Sequence, residues 1–189
     1  MPMAAQTKPW TSDDLDLLPD DGNKYEVVDG QLLVSPAPSL AHEAVLLELA
    51  ERVRAYCRAN RLGQAFPRND LRFDDANRVD PDLSVVPVFP PIPESLTWAT
   101  APRPLLVVEV LSRSTRTHDL RWKRELYRRE GIPLTWIVDF RERVVHVIRP
   151  GSADVHERRR LVWHPAAASE PLVIDLPGFF DGVLGREDG

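Results

Sequence analysis

Cysteine is nearly absent from this chain of 189 residues, which contains only Cys57. One cysteine excludes an intrachain disulfide, and its place in a helical pattern predicts a buried, unreactive side chain. No apolar run approaches the ~20 residues of a membrane-spanning helix. The N-terminus lacks the basic and then apolar pattern of a signal peptide. We therefore expect a cytoplasmic protein without membrane contact.

Lysine is also rare, since Lys8, Lys24 and Lys123 are the only lysines among 24 basic residues. In a chain that uses arginine by default, a lysine inside a patterned segment is unusual. The net charge of −5 does not favour non-specific adhesion to nucleic acid. The basic residues nevertheless cluster at 113–129 and at 52–61. Each cluster is either a solvated helix face or a surface for an anionic partner.

The length predicts one domain over 23–189, preceded by a polar segment over 1–22 that contains a short helix. Asp29-Gly30 between two β-rich runs predicts a hairpin. Apolar residues at helical spacing predict helices over 39–60 and 118–130. Further strands are expected, in chain order, at 64–67, 71–73, 79–86, 105–111, 134–140, 144–148, 161–163 and 172–175.

The order of these elements predicts an α/β protein with a mixed sheet, of the α+β kind. The strand, helix and strand over 105–140 fit a right-handed parallel crossover. Six prolines between 87 and 104 predict a surface loop without regular structure. The chain is expected to end in a polar fray.

Two acids stand in core-like strands, where burial of an unpaired carboxylate costs several kcal/mol or forces its protonation. Asp82 lies within the run 79–86, and Glu109 is embedded in 105–111. On neighbouring strands their carboxylates would repel each other unless a cation lay between them. Mg²⁺ suits such a pair because it prefers oxygen ligands. The alternative is two acids that are separately exposed or ion-paired.

Lys123 falls on the apolar side of the predicted helix, together with Leu120, Leu126 and Tyr127. A lysine there needs an anionic partner, and the preceding strand supplies Glu109. Lysine can have its pKa lowered and can then transfer a proton, which arginine hardly can. The alternative is a lysine at the edge of the stripe that extends its amine to solvent.

These residues carry a family resemblance. Pro81-Asp82 followed by Glu109-Val110-Leu111 resembles the PD-(D/E)XK nuclease signature. The surrounding motifs resemble the Uma-type putative restriction endonuclease family of that superfamily; they are Tyr25 to Gly30, Val107 to Ser112, Ser114-Thr115, Asp119-Leu120, Lys123, Leu126-Tyr127 and Gly131 to Pro133. The resemblance implies a restriction-endonuclease-like core of helix, three strands, helix and strand, with an N-terminal hairpin and extra C-terminal strands.

The resemblance also implies roles. Asp82 and Glu109 would bind the metal, with the backbone carbonyl of Val110 as a third ligand, and Lys123 would assist the attacking water. His42 and Glu26 match positions that border the site. His42 could equally be a helix-start or core histidine, and for Glu26 an ion pair with an arginine is the favoured alternative.

The sequence departs from the family pattern at two positions. Leu111 stands where a lysine is expected, and Lys123, on the following helix, could supply the missing amine. Gln31 stands where the family tends to have an acid.

The expected function is a Mg²⁺- or Mn²⁺-dependent endonuclease that hydrolyses DNA. The arginines that would hold the DNA backbone are Arg113, Arg116, Arg121 and Arg124. Cleavage of both strands needs two sites, so a homodimer is expected. The rivals are a DNA-binding or assembly module that has lost activity, and a metal hydrolase of small phosphodiesters.

Overall fold

The computed structural model describes residues 8–112 and 116–186, and it confirms the mixed α/β class. In chain order its elements are a 3₁₀ helix Asp13–Leu17, β1 Lys24–Val28, β2 Gln31–Ser35, α1 Leu40–Asn60, β3 Gln64–Pro67, β4 Leu71–Asp74, β5 Asn77–Val79, β6 Leu83–Val86, β7 Leu106–Val110, a π-helical turn His118–Lys123, α2 Arg124–Arg129, β8 Thr135–Asp139, β9 Val144–Ile148, β10 Val155–Glu157, β11 Arg160–Trp163, β12 Leu172–Asp175 and α3 Leu176–Leu184.

The central sheet has six strands in the order β10-β9-β8-β7-β6-β3. Strands β7 and β8 are parallel, as predicted for the connection between them, and the other neighbours are antiparallel. Side chains alternate between the two faces of β7. Val108 packs with residues of α1 and α3 on one face. Val107 packs with Leu126 and Tyr127 of α2 on the other, so Glu109 also projects toward the α2 side.

A smaller sheet, in the order β2-β1-β5-β4, covers this second face next to α2. Its β1–β2 hairpin turns at Asp29 and Gly30, whose φ angles are 50° and 71°. Positive φ at both positions is the geometry that Asp-Gly favours, and the predicted hairpin is confirmed. The run 79–86, expected to be one strand, is divided between the sheets. Residues 80–82 connect β5 to β6, and Asp82 therefore lies where the sheets meet.

Helix α1 confirms the apolar stripe read from the sequence. Ser39 Oγ accepts a hydrogen bond from the His42 backbone N–H at 3.3 Å and so caps the helix. Val45, Leu49 and Val53 are buried against the central sheet. The helix presents His42 at its first turn, on the same buried stripe.

Helix α3, which the sequence analysis did not predict, follows β12 directly. Asp175 Oδ2 accepts a hydrogen bond from the Gly178 backbone N–H at 3.0 Å, and a proline stands in the first turn. Phe179 and Phe180 are buried in the core beside α1. A capping acid followed by proline and apolar residues is a helix-start pattern.

The N-terminal segment over 8–22 is tied to the smaller sheet. The Ser12 backbone N–H donates to the Asp75 carbonyl at 2.7 Å. Asp13 pairs with Arg72 and Asp16 with Arg78, each at 2.7 Å. The boundary at residue 22 stays a prediction. Within 8–112 and 116–186, no helix has both the length and the apolarity that crossing a membrane requires.

Cys57 provides a test of this core. Its side chain is 1% exposed, and burial raises the pKa of its thiol to about 12. Because the thiolate is the reactive form, the native protein should react with iodoacetamide at pH 8 far more slowly than the protein in guanidinium chloride. Mass spectrometry after timed quenching measures both rates. Equal rates would contradict the burial of this helix face.

Candidate active site

A cavity of about 540 Å³ lies between the two sheets and the π-helical turn. Its walls include residues of the connection 80–82, the N-terminal half of β1, the end of β7 and the first turn of α1. Seven acidic residues but only four lysines and arginines line it, counted over the described parts of the chain. The acids are Asp20, Glu26, Asp70, Asp80, Asp82, Glu109 and Asp119, and the bases are Lys24, Arg68, Arg78 and Lys123. The cavity therefore carries excess negative charge.

Asp82 is held firmly at this junction. Its Oδ2 accepts a hydrogen bond from the Val110 backbone N–H at 2.7 Å and lies 3.3 Å from His42 Nε2. Its Oδ1 lies 3.5 Å from Lys24 Nζ. Burial alone would raise the pKa of Asp82, but the Lys24 charge and the hydrogen bond from His42 hold that pKa well below its usual range. Asp82 is thus an ionised carboxylate that is hydrogen-bonded to Val110, the residue directly after Glu109.

Glu109 and Lys123 form a buried ion pair, as the helix pattern predicted. Lys123 Nζ lies 2.6 Å from Glu109 Oε1, and both side chains are at most 2% exposed. The Tyr127 hydroxyl donates to the same Oε1 at 2.5 Å. Burial nevertheless raises the pKa of Glu109 to about 8, against the lowering effect of Lys123. Burial therefore opposes the charged form of Glu109 more strongly than the neighbouring lysines favour it.

Lys123 also contacts two further acids. Its Nζ lies 2.9 Å from Glu26 Oε1 and 3.4 Å from Asp119 Oδ1. Burial opposes its charge, but Glu109 and Glu26 outweigh burial and raise the pKa of Lys123 well above its usual value. The lysine is therefore a fixed ammonium, and the alternative of an amine that reaches solvent is wrong.

Glu26 was expected to pair with an arginine, and this is wrong. It pairs with Lys123 instead, and its Oε1 also accepts the Asp80 backbone N–H at 2.8 Å. Burial would raise the pKa of Glu26, but the charges of Lys123 and Lys24 lower it. Glu26 thereby joins β1 of the smaller sheet to the site.

The arginines proposed to hold DNA are placed differently from one another. Arg116 pairs with Asp139, and Arg124 Nε lies 2.5 Å from Asp154 Oδ2. Arg121 is exposed. Arg113 lies outside the described residues.

Sequence reasoning missed several residues at the site. Lys24 and Asp80 line the cavity, and Asp119 and Tyr127 contact the buried ion pair. Lys24 had the same signal as Lys123, because it is one of only three lysines in an arginine-rich chain. Asp80 shares the Asp-Pro-Asp run with Asp82.

The donor set fits a hard divalent cation. Over residues 8–112 and 116–186, no group of three or more histidine, cysteine or acidic side chains is arranged around a metal position. The predicted set is smaller, with two carboxylates and the carbonyl of Val110, as suits an ion that keeps several waters. Asp80 Oδ1 is buried without a hydrogen-bond partner, and burial raises the pKa of Asp80. A cation in this cavity would offset the excess of acids.

The fold and the charged cavity are those of a restriction-endonuclease-like α/β protein. The chain belongs to the Uma2 family of putative restriction endonucleases, whose family model matches residues 12–179. This confirms the resemblance read from the sequence motifs. The structure is similar to the crystal structure of a putative nuclease of the DUF820 family from Anabaena variabilis, with 25% sequence identity and a TM-score of 0.77. That match covers 93% of this chain and 100% of the other. A comparison with curated proteins found no significant match.

Removal of the Lys123 charge should be strongly destabilising. Lys123→Met keeps the approximate length of the side chain but leaves Glu109 and Glu26 buried without their cation. Breaking a buried pair in this way costs about 3–5 kcal/mol. Urea unfolding followed by circular dichroism measures the free energy of unfolding.

Lys8→Met is the matched control, because Lys8 is exposed and its replacement should cost about 0.5 kcal/mol or less. Equal stabilities of the two variants would show that Lys123 is not the cation on which the buried acids depend.

Proposed function

We propose that the protein is a Mg²⁺- or Mn²⁺-dependent endonuclease that hydrolyses phosphodiester bonds in DNA. Membership of the Uma2 family and likeness to a putative nuclease support this proposal. The observation that carries it is the grouping of Asp82, Glu109 and Lys123 around one cavity with excess negative charge. A scissile phosphate is an anion, and an acidic cavity can accept it only with a cation.

Asp82 and Glu109 would hold the cation, together with the backbone carbonyl of Val110. A bound Mg²⁺ supplies polarisation of a phosphoryl oxygen and a lowered pKa for an attacking water. The Val110 backbone N–H fixes the Asp82 carboxylate through its hydrogen bond at 2.7 Å. His42 Nε2 lies 3.3 Å from the same oxygen of Asp82, and in this proposal it would support that carboxylate at the border of the site.

Lys123 would act as a positively charged positioning group rather than as a base. Two acidic partners, Glu109 and Glu26, keep its pKa well above the usual value, which opposes removal of a proton from water by its amine. Its contact at 2.6 Å fixes the Glu109 carboxylate. The positive charge also offsets negative charge that develops on the phosphoryl group in the transition state.

Contacts to the DNA backbone would be electrostatic and independent of base sequence. Arg121 is exposed, whereas Arg116 and Arg124 are already paired with acids. Cleavage of both strands would require two copies of the site, so the proposal includes a homodimer acting in the cytoplasm.

Metal-dependent nicking of supercoiled plasmid tests the proposal. Wild-type protein should nick in Mg²⁺ or Mn²⁺, and Asp82→Asn or Glu109→Gln should slow nicking by about 100-fold or more, because each removes a cation ligand. Mn²⁺ should also raise the melting temperature of the wild type, because it binds only the folded state. Asp82→Asn should abolish that shift.

Glu51→Gln is the matched control for these acids, because Glu51 is an exposed residue of α1 outside the cavity. It should nick at the wild-type rate. Nicking that Asp82→Asn and Glu109→Gln leave unchanged would rule out this site. A wild type that binds DNA without cutting it would favour the inactive module. Hydrolysis of a mononucleotide diester without plasmid nicking would favour the small-phosphodiester hydrolase.

The contrast between Arg121 and Arg124 tests the DNA contact. Arg121→Ala should weaken binding to unrelated duplexes alike and should reduce the slope of log K against log salt by about 1. Arg124→Ala should change the slope less, because Asp154 already neutralises that guanidinium. Fluorescence anisotropy at several salt concentrations gives both slopes. Identical slopes for both variants and the wild type would exclude this surface.

A further inference from the structure

The three lysines of the chain occupy three different environments. Lys8 is exposed and lies outside the cavity. Lys123 is buried, with 1% of its side chain exposed. Lys24, at the start of β1, lies between these extremes, with 25% of its side chain exposed on the cavity wall. The two cavity lysines therefore differ in what they can still bind.

The hydrogen-bonding capacity of Lys123 is fully used. An ammonium group has three N–H donors, and three carboxylates lie within 3.4 Å of Lys123 Nζ. A substrate oxygen could bind Lys123 only by displacing one of these buried acids. The side chain is also closed to solvent, so an incoming phosphate meets the cavity before it meets this amine.

Lys24 has looser partners. Its Nζ lies 3.5 Å from Asp82 Oδ1 and 3.9 Å from Glu26 Oε1, which are distances of charge attraction rather than short hydrogen bonds. Lys24 and Glu26 are two residues apart on β1, so both project from the same face toward the cavity. The Lys24 amine is charged, lies close to Asp82 and Glu26, and can still donate a hydrogen bond to another group.

The position of Lys24 also places it in competition with a metal. Its ammonium is the nearest described cation to Asp82 Oδ1. A divalent cation held by Asp82 would repel an ammonium at this distance, and the two charges would compete for one carboxylate. A lysine released from Asp82 in this way would be directed toward the anionic substrate.

We propose that Lys24 is the lysine that binds the scissile phosphate, and that in the absence of metal it neutralises Asp82. This inference rests on the proposed nuclease function and divides the work between the two lysines. Lys123 positions Glu109, and Lys24 moves between Asp82 and a phosphate oxygen. A purely structural counter-ion would make neither exchange.

The proposal predicts effects of opposite sign in one variant. Lys24→Gln removes the competing charge, so Mn²⁺ should bind about fivefold more tightly. The same change removes a charge-assisted contact to phosphate, so a short DNA duplex should bind about tenfold more weakly. Loss of a merely structural residue would weaken both. Lys24→Arg keeps the charge and should retain most of the DNA affinity.

The experiment compares the full-length wild type with Lys24→Gln, Lys24→Arg and Lys8→Gln. Titration calorimetry with Mn²⁺ alone gives the metal affinity, and fluorescence anisotropy of a labelled duplex in Ca²⁺ gives the DNA affinity. Lys8→Gln is the matched control and should match the wild type in both. Circular dichroism shows whether each variant is folded.

Unchanged DNA affinity in Lys24→Gln would overturn the inference, and so would a fall in Mn²⁺ affinity. If Lys24→Gln does not fold, Lys24→Ala is measured in its place, where a DNA affinity about tenfold weaker supports the inference and wild-type DNA affinity overturns it. Cleavage by the wild type is a separate measurement. A wild type that binds Mn²⁺ and DNA without cutting contradicts the proposed function, while the two binding arms still decide the role of Lys24.

Discussion

The buried contact of Lys123 with Glu109 and Glu26 is the interaction on which the rest of the site depends. It joins the π-helical turn to β7 of the central sheet and to β1 of the smaller sheet, at distances of 2.6 and 2.9 Å. Each ion would be too costly to bury alone, since desolvation outweighs attraction unless the partners are close and hydrogen-bonded. The burial of each charge is therefore compensated only when all three elements are docked against one another. Assembly of the site and assembly of the fold are one event.

Acidic residues outnumber lysines and arginines in the cavity, counted over the described parts of the chain. Burial raises the pKa of Glu109 to about 8, even though Lys123 lies beside it. Asp80 adds a buried oxygen without a partner. Under the proposed function, a divalent cation would bind in this cavity and would allow it to accept a phosphate. A cation bound by these acids would attract the DNA phosphate locally. A net charge of −5 is therefore compatible with the proposed action on DNA.

Local pattern predicted those parts of the fold that short-range geometry controls. Turn chemistry predicted the hairpin at Asp29-Gly30, and helical spacing predicted the apolar stripe of α1. The approach of Lys123 to Glu109 was predictable because the helical segment with Lys123 follows the strand with Glu109 in the chain. Lys24 was missed because its approach to Asp82 spans 58 positions and depends on how two sheets pack. The predicted partner of Glu26 was wrong for the same reason, because its contact with Lys123 also depends on how distant elements pack. Helix α3 had local signals, with Asp175 as its cap, but its apolar run is short.

The packing of Leu111 explains why this position does not carry the lysine expected from the family pattern. Leu111 lies on the face of β7 that carries Glu109, but it packs in an apolar cluster with Ile137 and Ile148. A lysine there would put its charge among those side chains, at a cost that no acid of the cluster offsets. Lys123, on the π-helical turn that follows, instead holds its amine among three acids. A lysine on a strand would be held by the sheet alone, but a lysine on a helix is placed only when that helix is docked. With Leu111 in the strand, the charge balance of the site therefore depends on the docking of the π-helical turn that carries Lys123.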